Sequence, residues 1–275
     1  MIFDDRICQL GEGPLWHPTR HELLWFDILG KALHTKTQSW GFDEYVSAAG
    51  WVDTGSIVLA SASALHHFDL ITGKAETLCP LEADNPLTRS NDGRADPYGG
   101  FWIGTMGING EDGAGAIYRY YRGQLRALYS PITISNAICF SPDGGHAYFT
   151  DTPTQQIMRV ALDGQGWPKG DPALWLDLTG TDWRPDGAVV DAAGNLWNAQ
   201  WGANRVACYD PNGAFIEAVG FGASQTSCPA FGGENLQTLF CTSAAIGLPN
   251  PNAHDGKTFA TQVTHTGQPE HQVIL

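Results

Sequence analysis

The chain has 275 residues, with 15 Lys and Arg against 29 Asp and Glu, a formal net charge of −14. That balance excludes partners held through a phosphate backbone or an anionic membrane surface, because such affinity comes from basic side chains. Hydrophobic residues make up 43% and aromatics 11%, enough to bury a core, which excludes disorder for the bulk of the chain.

Only 16% of residues are charged, whereas glycine occurs 33 times and proline 16 times. This is the composition of many short strands joined by tight turns, not of surface-charged helices. The opening MIFDDRICQL lacks a basic region followed by an apolar one, so no targeting signal is expected. The apolar stretch SIVLASASAL from Ser56 is too short to span a bilayer. Six cysteines (Cys8, Cys79, Cys139, Cys208, Cys228 and Cys241) are scattered without a Cys-x-x-Cys pair. They read as buried thiols in a reducing, cytoplasmic setting.

In chain order, six segments share one pattern: a small or acidic turn, an apolar strand, a second turn and a second strand. The first is GEGPLWHPTRHELLWFDILGKALHTKT from Gly11, and the second is GWVDTGSIVLASASALHHFDLITGKAETL from Gly50. The third, NDGRADPYGGFWIGTMG from Asn91, continues into GAIYRYYRGQLRAL. The fourth, NAICFSPDGGHAYFTDTPTQQIMRVALDG, starts at Asn136, and the fifth, DGAVVDAAGNLWNAQWGANRVACYDPNGAFIEAV, at Asp186. The sixth is CPAFGGENLQTLFCTSAAIG from Cys228, followed by a long tail whose GQPEHQVIL is the candidate for a strand closing the ring.

Starts roughly 37 to 50 residues apart suit propeller blades of four strands each. DPYGG, SPDGG, DAAGN and FGGEN supply the turn after each inner strand. LLWF, GFWIG, AYFTD and NLWNA supply aromatic second strands that pack between blades. The expectation is an all-β, six-bladed β-propeller over residues 1–275 as one domain, with a metal site in its central channel and no long amphipathic helix. Ring closure removes exposed sheet edges.

The first strand of each blade lines the channel, so polar residues that open those strands point to a common axis. Glu12, Asn91, Asn136 and Asp186 hold that phase in four blades. Singly, each is an ordinary turn residue satisfying its own backbone. Together they form a convergent set of oxygens. Glu12 and Asp186 would balance a divalent cation and would repel each other without one, raising at least one pKa. Asn136 and Asn91 are candidates for neutral oxygens. All-oxygen donors favour Ca²⁺, Mg²⁺ or Mn²⁺, while Zn²⁺ and Fe²⁺ also accept carboxylates.

LGEGPLW, RSNDGRADPYGGFWIGTM, ISNAICFSPDG with YFTDT, and RPDGAVVDAAGNLWNAQWG resemble the senescence-marker protein, regucalcin and gluconolactonase group of six-bladed propellers. TSCPAFGGENLQTLFCTSA resembles that group's last blade, so the likeness covers nearly the whole chain. The resemblance implies a lactonase acting on sugar-acid lactones through one divalent metal, with Glu12, Asn136 and Asp186 as ligands. It also implies that Arg89 and Asn91 contact substrate, and that Asn109, where some relatives carry Glu, is a further contact. Asp186 is the expected proton acceptor, and a monomer or weak homodimer is the expected state. Trp16, Trp201, Tyr98 and Met106 are candidates for shaping the pocket, Asp151 for lining the channel, and Arg94 for a surface role or a place behind the site residues.

Two other functions compete: a non-enzymatic calcium-binding regulator of the regucalcin kind, and another metal-dependent esterase or phosphotriesterase on the same scaffold. The latter would have a more apolar site without an arginine in the pocket. No Gly-x-Ser-x-Gly elbow is present, and the glycines from Gly107 to Gly113 lack the Lys and Ser/Thr of a phosphate loop. His17, His66 and His67 belong to no His-Glu-x-x-His pattern and read as structural.

Overall fold

Twenty-four short strands and one 3-10 turn make up the regular structure of residues 1–275 in the computed structural model. Strand β1 spans Ile2–Asp4. Blade one comprises β2 (Gly11–His17), β3 (Glu22–Asp27), β4 (Ala32–His34) and β5 (Ser39–Gly41). Blade two comprises β6 (Val46–Asp53), β7 (Ser56–Ser61), β8 (Ala64–Asp69) and β9 (Ala75–Pro80). Blade three comprises β10 (Thr88–Ala95), β11 (Phe101–Gly107), β12 (Gly115–Tyr121) and β13 (Gln124–Ile132). Blade four comprises β14 (Ser135–Phe140), β15 (His146–Asp151), β16 (Gln156–Leu162) and β17 (Pro168–Asp177), with the 3-10 turn Thr152–Thr154 after β15. Blade five comprises β18 (Arg184–Val190), β19 (Leu196–Trp201), β20 (Arg205–Tyr209) and β21 (Phe215–Gly220). Blade six joins β22 (Gln225–Gly232), β23 (Thr238–Ala244) and β24 (Thr258–Gln262) to β1. This is a six-bladed β-propeller. No helix is long and apolar enough to cross a membrane.

The turns follow from their sequences. Asp96 Oδ1 accepts the N–H groups of Tyr98 at 2.8 Å and Gly100 at 3.0 Å, and Asp191 Oδ1 those of Ala193 and Asn195, both at 2.9 Å. Each aspartate closes its own turn, and Gly99 and Gly194 take the positive φ that the bend needs.

The core lies between neighbouring sheets. Leu15, Leu24 and Phe26 of blade one pack on Val46, Ile57 and Phe68 of blade two. Trp197 and Val206 of blade five pack on Phe231, Leu239 and Phe259 of blade six. Trp25, Trp102 and Trp197, one from the second strand of their blades, are fully buried. All six cysteines are free; five are buried and Cys79 is half-buried.

The closing strand differs from the expectation. β1 pairs antiparallel with β24, and the Met1 amino group donates to the Ala260 carbonyl at 2.8 Å. The amino-terminal strand therefore seals the ring. The tail that includes GQPEHQVIL instead crosses the ends of the inner strands that lie away from Glu12. Gln268 Nε2 donates to the carbonyls of Val190 at 2.9 Å and Phe140 at 3.2 Å. Val273 N–H donates to Trp51 and Ile274 N–H to Gly99. The tail thus ties blades two to five together across one mouth of the channel, leaving the other mouth as the site's entrance.

Candidate functional site

Glu12, Ser47, Asn91, Asn136, Asp186 and Ser227 occupy one position of the six inner strands. At or beside each, the register with the second strand slips: between Glu12 and Leu15, Val46 and Ala48, Ser90 and Gly93, Asn136 and Cys139, Pro185 and Ala188, and Thr226 and Pro229. Such bulges end regular pairing and re-aim a side chain, here toward the axis. After Glu12 the backbone needs φ +53° at Gly13, where a Cβ would stand 2.3 Å from the Ser47 carbonyl oxygen. Ala137, after Asn136, holds φ +56°, a strained value for alanine that the packed blade enforces.

Four of these six side chains line one cavity of about 450 Å³, together with Arg89, Met106, Ile134, Thr152, Arg184 and Trp201. A relay of hydrogen bonds fixes the amides. Arg89 Nη1 donates to Asn91 Oδ1 at 2.8 Å, and Asn91 Nδ2 donates to Asn136 Oδ1 at 3.2 Å and to the Ser135 carbonyl at 2.9 Å. Asn136 Nδ2 donates to Thr152 Oγ1 at 2.9 Å, and Thr152 Oγ1 to the Pro185 carbonyl at 2.8 Å. Asn136 Oδ1 keeps a lone pair beyond the one Asn91 uses.

Electrostatics set the character of the site. Burial, then the Asp92 carboxylate, push Glu12 up to about 8, against which a bond from the Gly13 N–H works. Burial, then Glu12 and Asp92, push Asp186 well above the usual carboxylate range. Burial lowers Arg89 to about 10, while Glu12 and Asp186 hold it up. Arg89 Nε is buried without a partner. Cys228 and Cys241 nearby are raised far above ordinary thiols, chiefly by burial, and no cysteine or histidine lines the cavity.

No group of three or more His, Cys, Asp or Glu stands ready for a metal; the axial set has two carboxylates and completes itself with amide oxygens. Two crowded carboxylates with few donors, flanked by neutral oxygens, suit a hard divalent cation, which would relieve the repulsion that otherwise favours protonation.

The chain matches the family described as SMP-30/Gluconolactonase/LRE-like region over residues 10–245. It belongs to that family. A Rhizobium meliloti (strain 1021) protein provisionally named a sugar lactone lactonase is 41% identical, over 94% of this chain and 92% of that protein. The L-arabinolactonase of Azospirillum brasilense is 34% identical, over 94% of this chain and 90% of that protein. Among solved structures, the calcium-binding protein regucalcin from Agrobacterium tumefaciens strain C58 superposes with a TM-score of 0.97 at 38% identity, covering 100% of this chain and 97% of that one.

Within this SMP-30/gluconolactonase-type chain, the fold brings Glu12, Arg89, Asn91, Asn136 and Asp186 to one cavity. It does not bring Asn109 there. Asn109 is exposed in the turn after β11, where its Nδ2 donates to Glu111 Oε1 at 2.9 Å. A two-residue contact satisfies the turn locally, so the side chain has no pull toward the axis.

Trp201 and Met106 line the cavity; Trp16 instead stacks on Phe240, and Tyr98 donates to the Gly144 carbonyl. Asp151 accepts the Thr133 and Ile134 N–H groups at 3.0 and 2.9 Å, anchoring the entry to β14 as Asp27 anchors Gln9 and Leu10 before β2. Arg94 is buried, not on the surface, and is paired with Glu270 of the tail.

Sequence reasoning missed Asp92 and Arg184. Asp92 is buried with Oδ2 accepting the Ile138 N–H at 2.7 Å, and burial raises it to about 6. Its signal was the one acid of RSNDG, directly after Asn91; Arg184 was the unread first letter of RPDG.

Proposed function

We propose that this chain hydrolyses sugar-acid lactones to aldonates, using one divalent cation held by Glu12, Asn136 and Asp186. The observation that carries the reading is the pair of buried carboxylates, both driven toward protonation by burial and by neighbouring carboxylates, set beside amide oxygens in a substrate-sized cavity. The lactonase names of two relatives support the substrate class. A cation bound there would supply positive charge that polarises a lactone carbonyl and acidifies a water molecule.

The chain's own groups supply the rest. Asp186 accepts a proton from the attacking water as the water oxygen bonds to the carbonyl carbon; the ring C–O bond then breaks, and the departing oxygen takes that proton back from Asp186, which returns as carboxylate. Arg89 Nε, buried and unpartnered, is placed to donate to a substrate oxygen on which negative charge develops. Arg89 Nη1 is already committed to the Ser90 carbonyl and Asn91, so the guanidinium is held before substrate arrives. Asn91 and Thr152, through the amide relay, keep Asn136 turned to the axis.

A second reading, a calcium-binding protein without catalysis, draws on the solved regucalcin. The esterase and phosphotriesterase reading is disfavoured by the two arginines lining the cavity. A pH-indicator assay over a panel of aldonolactones, with and without a chelator, separates these readings. Chelator-sensitive acid release from sugar lactones supports the lactonase; tight cation binding with no release from any lactone supports the regulator instead.

A further inference from the structure

The residues two positions before the axial set form a second tier of the channel. Leu10, Arg89, Ile134 and Arg184 precede Glu12, Asn91, Asn136 and Asp186, and all four line the cavity. Side chains two apart on a strand share a face, so this tier stands roughly 6.5 Å toward the entrance from the oxygen set. β18 pairs with β19 at Arg184 opposite Trp201 and Pro185 opposite Gln200, just before the bulge that turns Asp186 to the axis, and Arg184 and Asp186 line the same cavity.

The two arginines of the tier differ. Arg89 is buried, hydrogen-bonded and balanced by Glu12 and Asp186. Arg184 is exposed at the mouth and makes neither a hydrogen bond nor an ion pair. It shares the cavity wall with the uncharged Pro153, Trp201 and Ile246, and no carboxylate oxygen lies within 4.0 Å of its guanidinium. A neutral polyol does not need a full charge at this point. An anionic group matches the planar fork of a guanidinium, and a local cation offsets the repulsion that a molecule of net charge −14 exerts on an anion.

We propose that Arg184 selects lactones carrying an anionic substituent (carboxylate, sulfonate or phosphate) at the end remote from the lactone carbonyl. This rests on the lactonase reading and names the substrate class within it. With the carbonyl at the oxygen set, a remote substituent one tier higher meets Arg184. The group is a specificity determinant and takes no part in bond breaking.

The test compares kcat and KM of the metal-loaded enzyme and of Arg184→Ala and Arg184→Lys. The substrates are glucono-1,5-lactone, its 6-phosphate and the carboxylate-bearing glucaro-1,4-lactone; whichever anionic lactone responds identifies the substituent. The wild type should favour an anionic lactone over the neutral one. In Arg184→Ala its kcat/KM should fall about tenfold or more, as loss of a charge-assisted hydrogen bond predicts, through KM and not kcat. The neutral lactone should lose no more than about threefold, and Arg184→Lys should recover part of the preference by restoring the charge. Equal losses on neutral and anionic lactones, a kcat-borne loss, or a wild-type preference for the neutral lactone would overturn the proposal and leave the lactonase reading standing. Hydrolysis of neither these three nor any other lactone of the aldonolactone panel would overturn both.

Discussion

Glu12 and Asp186 are buried, which raises the affinity of both for protons, and neighbouring carboxylates add to it: Asp92 for Glu12, and Glu12 with Asp92 for Asp186. In protein stripped of metal, the folded Glu12 titrates at about 8 against an ordinary 4.5. Between those values the folded state holds more protons than the unfolded one, so stability falls as pH rises. The contribution is complete below about pH 4.5 and is lost as pH passes about 8. Thermal melts of the stripped protein should therefore show a declining midpoint across that window, and Glu12→Gln should flatten the slope; an identical slope in the variant would contradict the assignment. A second expectation concerns Gly13. Replacing it with Ala should cost at least about 2 kcal/mol in denaturant unfolding, since it combines positive φ with a backbone clash. An unchanged midpoint would mean that the bulge is not built as described. Glu12, Asn136 and Asp186 were readable in the sequence because one phase repeats across blades. Arg184 was not, because a cation opening a strand carries no mark of the cavity it will face, and Asn109 stands outside the cavity because its partner lies two residues away.

At the scale of elements, the tail is a strap and not a closing strand. It delivers Glu270 to Arg94 beneath the channel, with both side chains under a tenth exposed. Removing one partner leaves a buried charge, so Glu270→Ala should lose about 3 kcal/mol by chemical denaturation. The combined Arg94→Met, Glu270→Leu variant should recover much of that loss, because no charge is then stranded. A Glu270→Ala protein as stable as the wild type would show that the pair contributes nothing. The strands and their Asp-Gly turns were legible because their signals are local: Asp96 and Asp191 bond to N–H groups within four residues. The pairing of Ile2–Asp4 with β24 was not, since it joins segments about 250 residues apart and only the closed ring makes them neighbours. The strap was hidden for the same reason: its contacts are mostly main-chain carbonyls, which no residue type announces.

At the scale of the molecule, six similar sheets can meet at one axis only if each inner strand presents its opening residue there. The blades thereby convert a periodicity in sequence into a cluster in space. Two blades contribute carboxylates, two contribute amides, and Ser47 and Ser227 fill the remaining positions with small hydroxyls bonded to Ser90 and to the Gly11 carbonyl. The asymmetry among otherwise equivalent blades is what makes a site of a scaffold. The central claim is that Glu12, Asn136 and Asp186 hold one catalytic divalent cation. Calorimetric titration of metal-stripped protein, run beside lactone turnover on wild type and on Glu12→Ala, Asn136→Ala and Asp186→Ala, tests it most directly. One ion per wild-type chain is predicted, with binding and turnover lost together in both carboxylate variants and weakened together in Asn136→Ala. Full binding or near-native turnover in Asp186→Ala would contradict it.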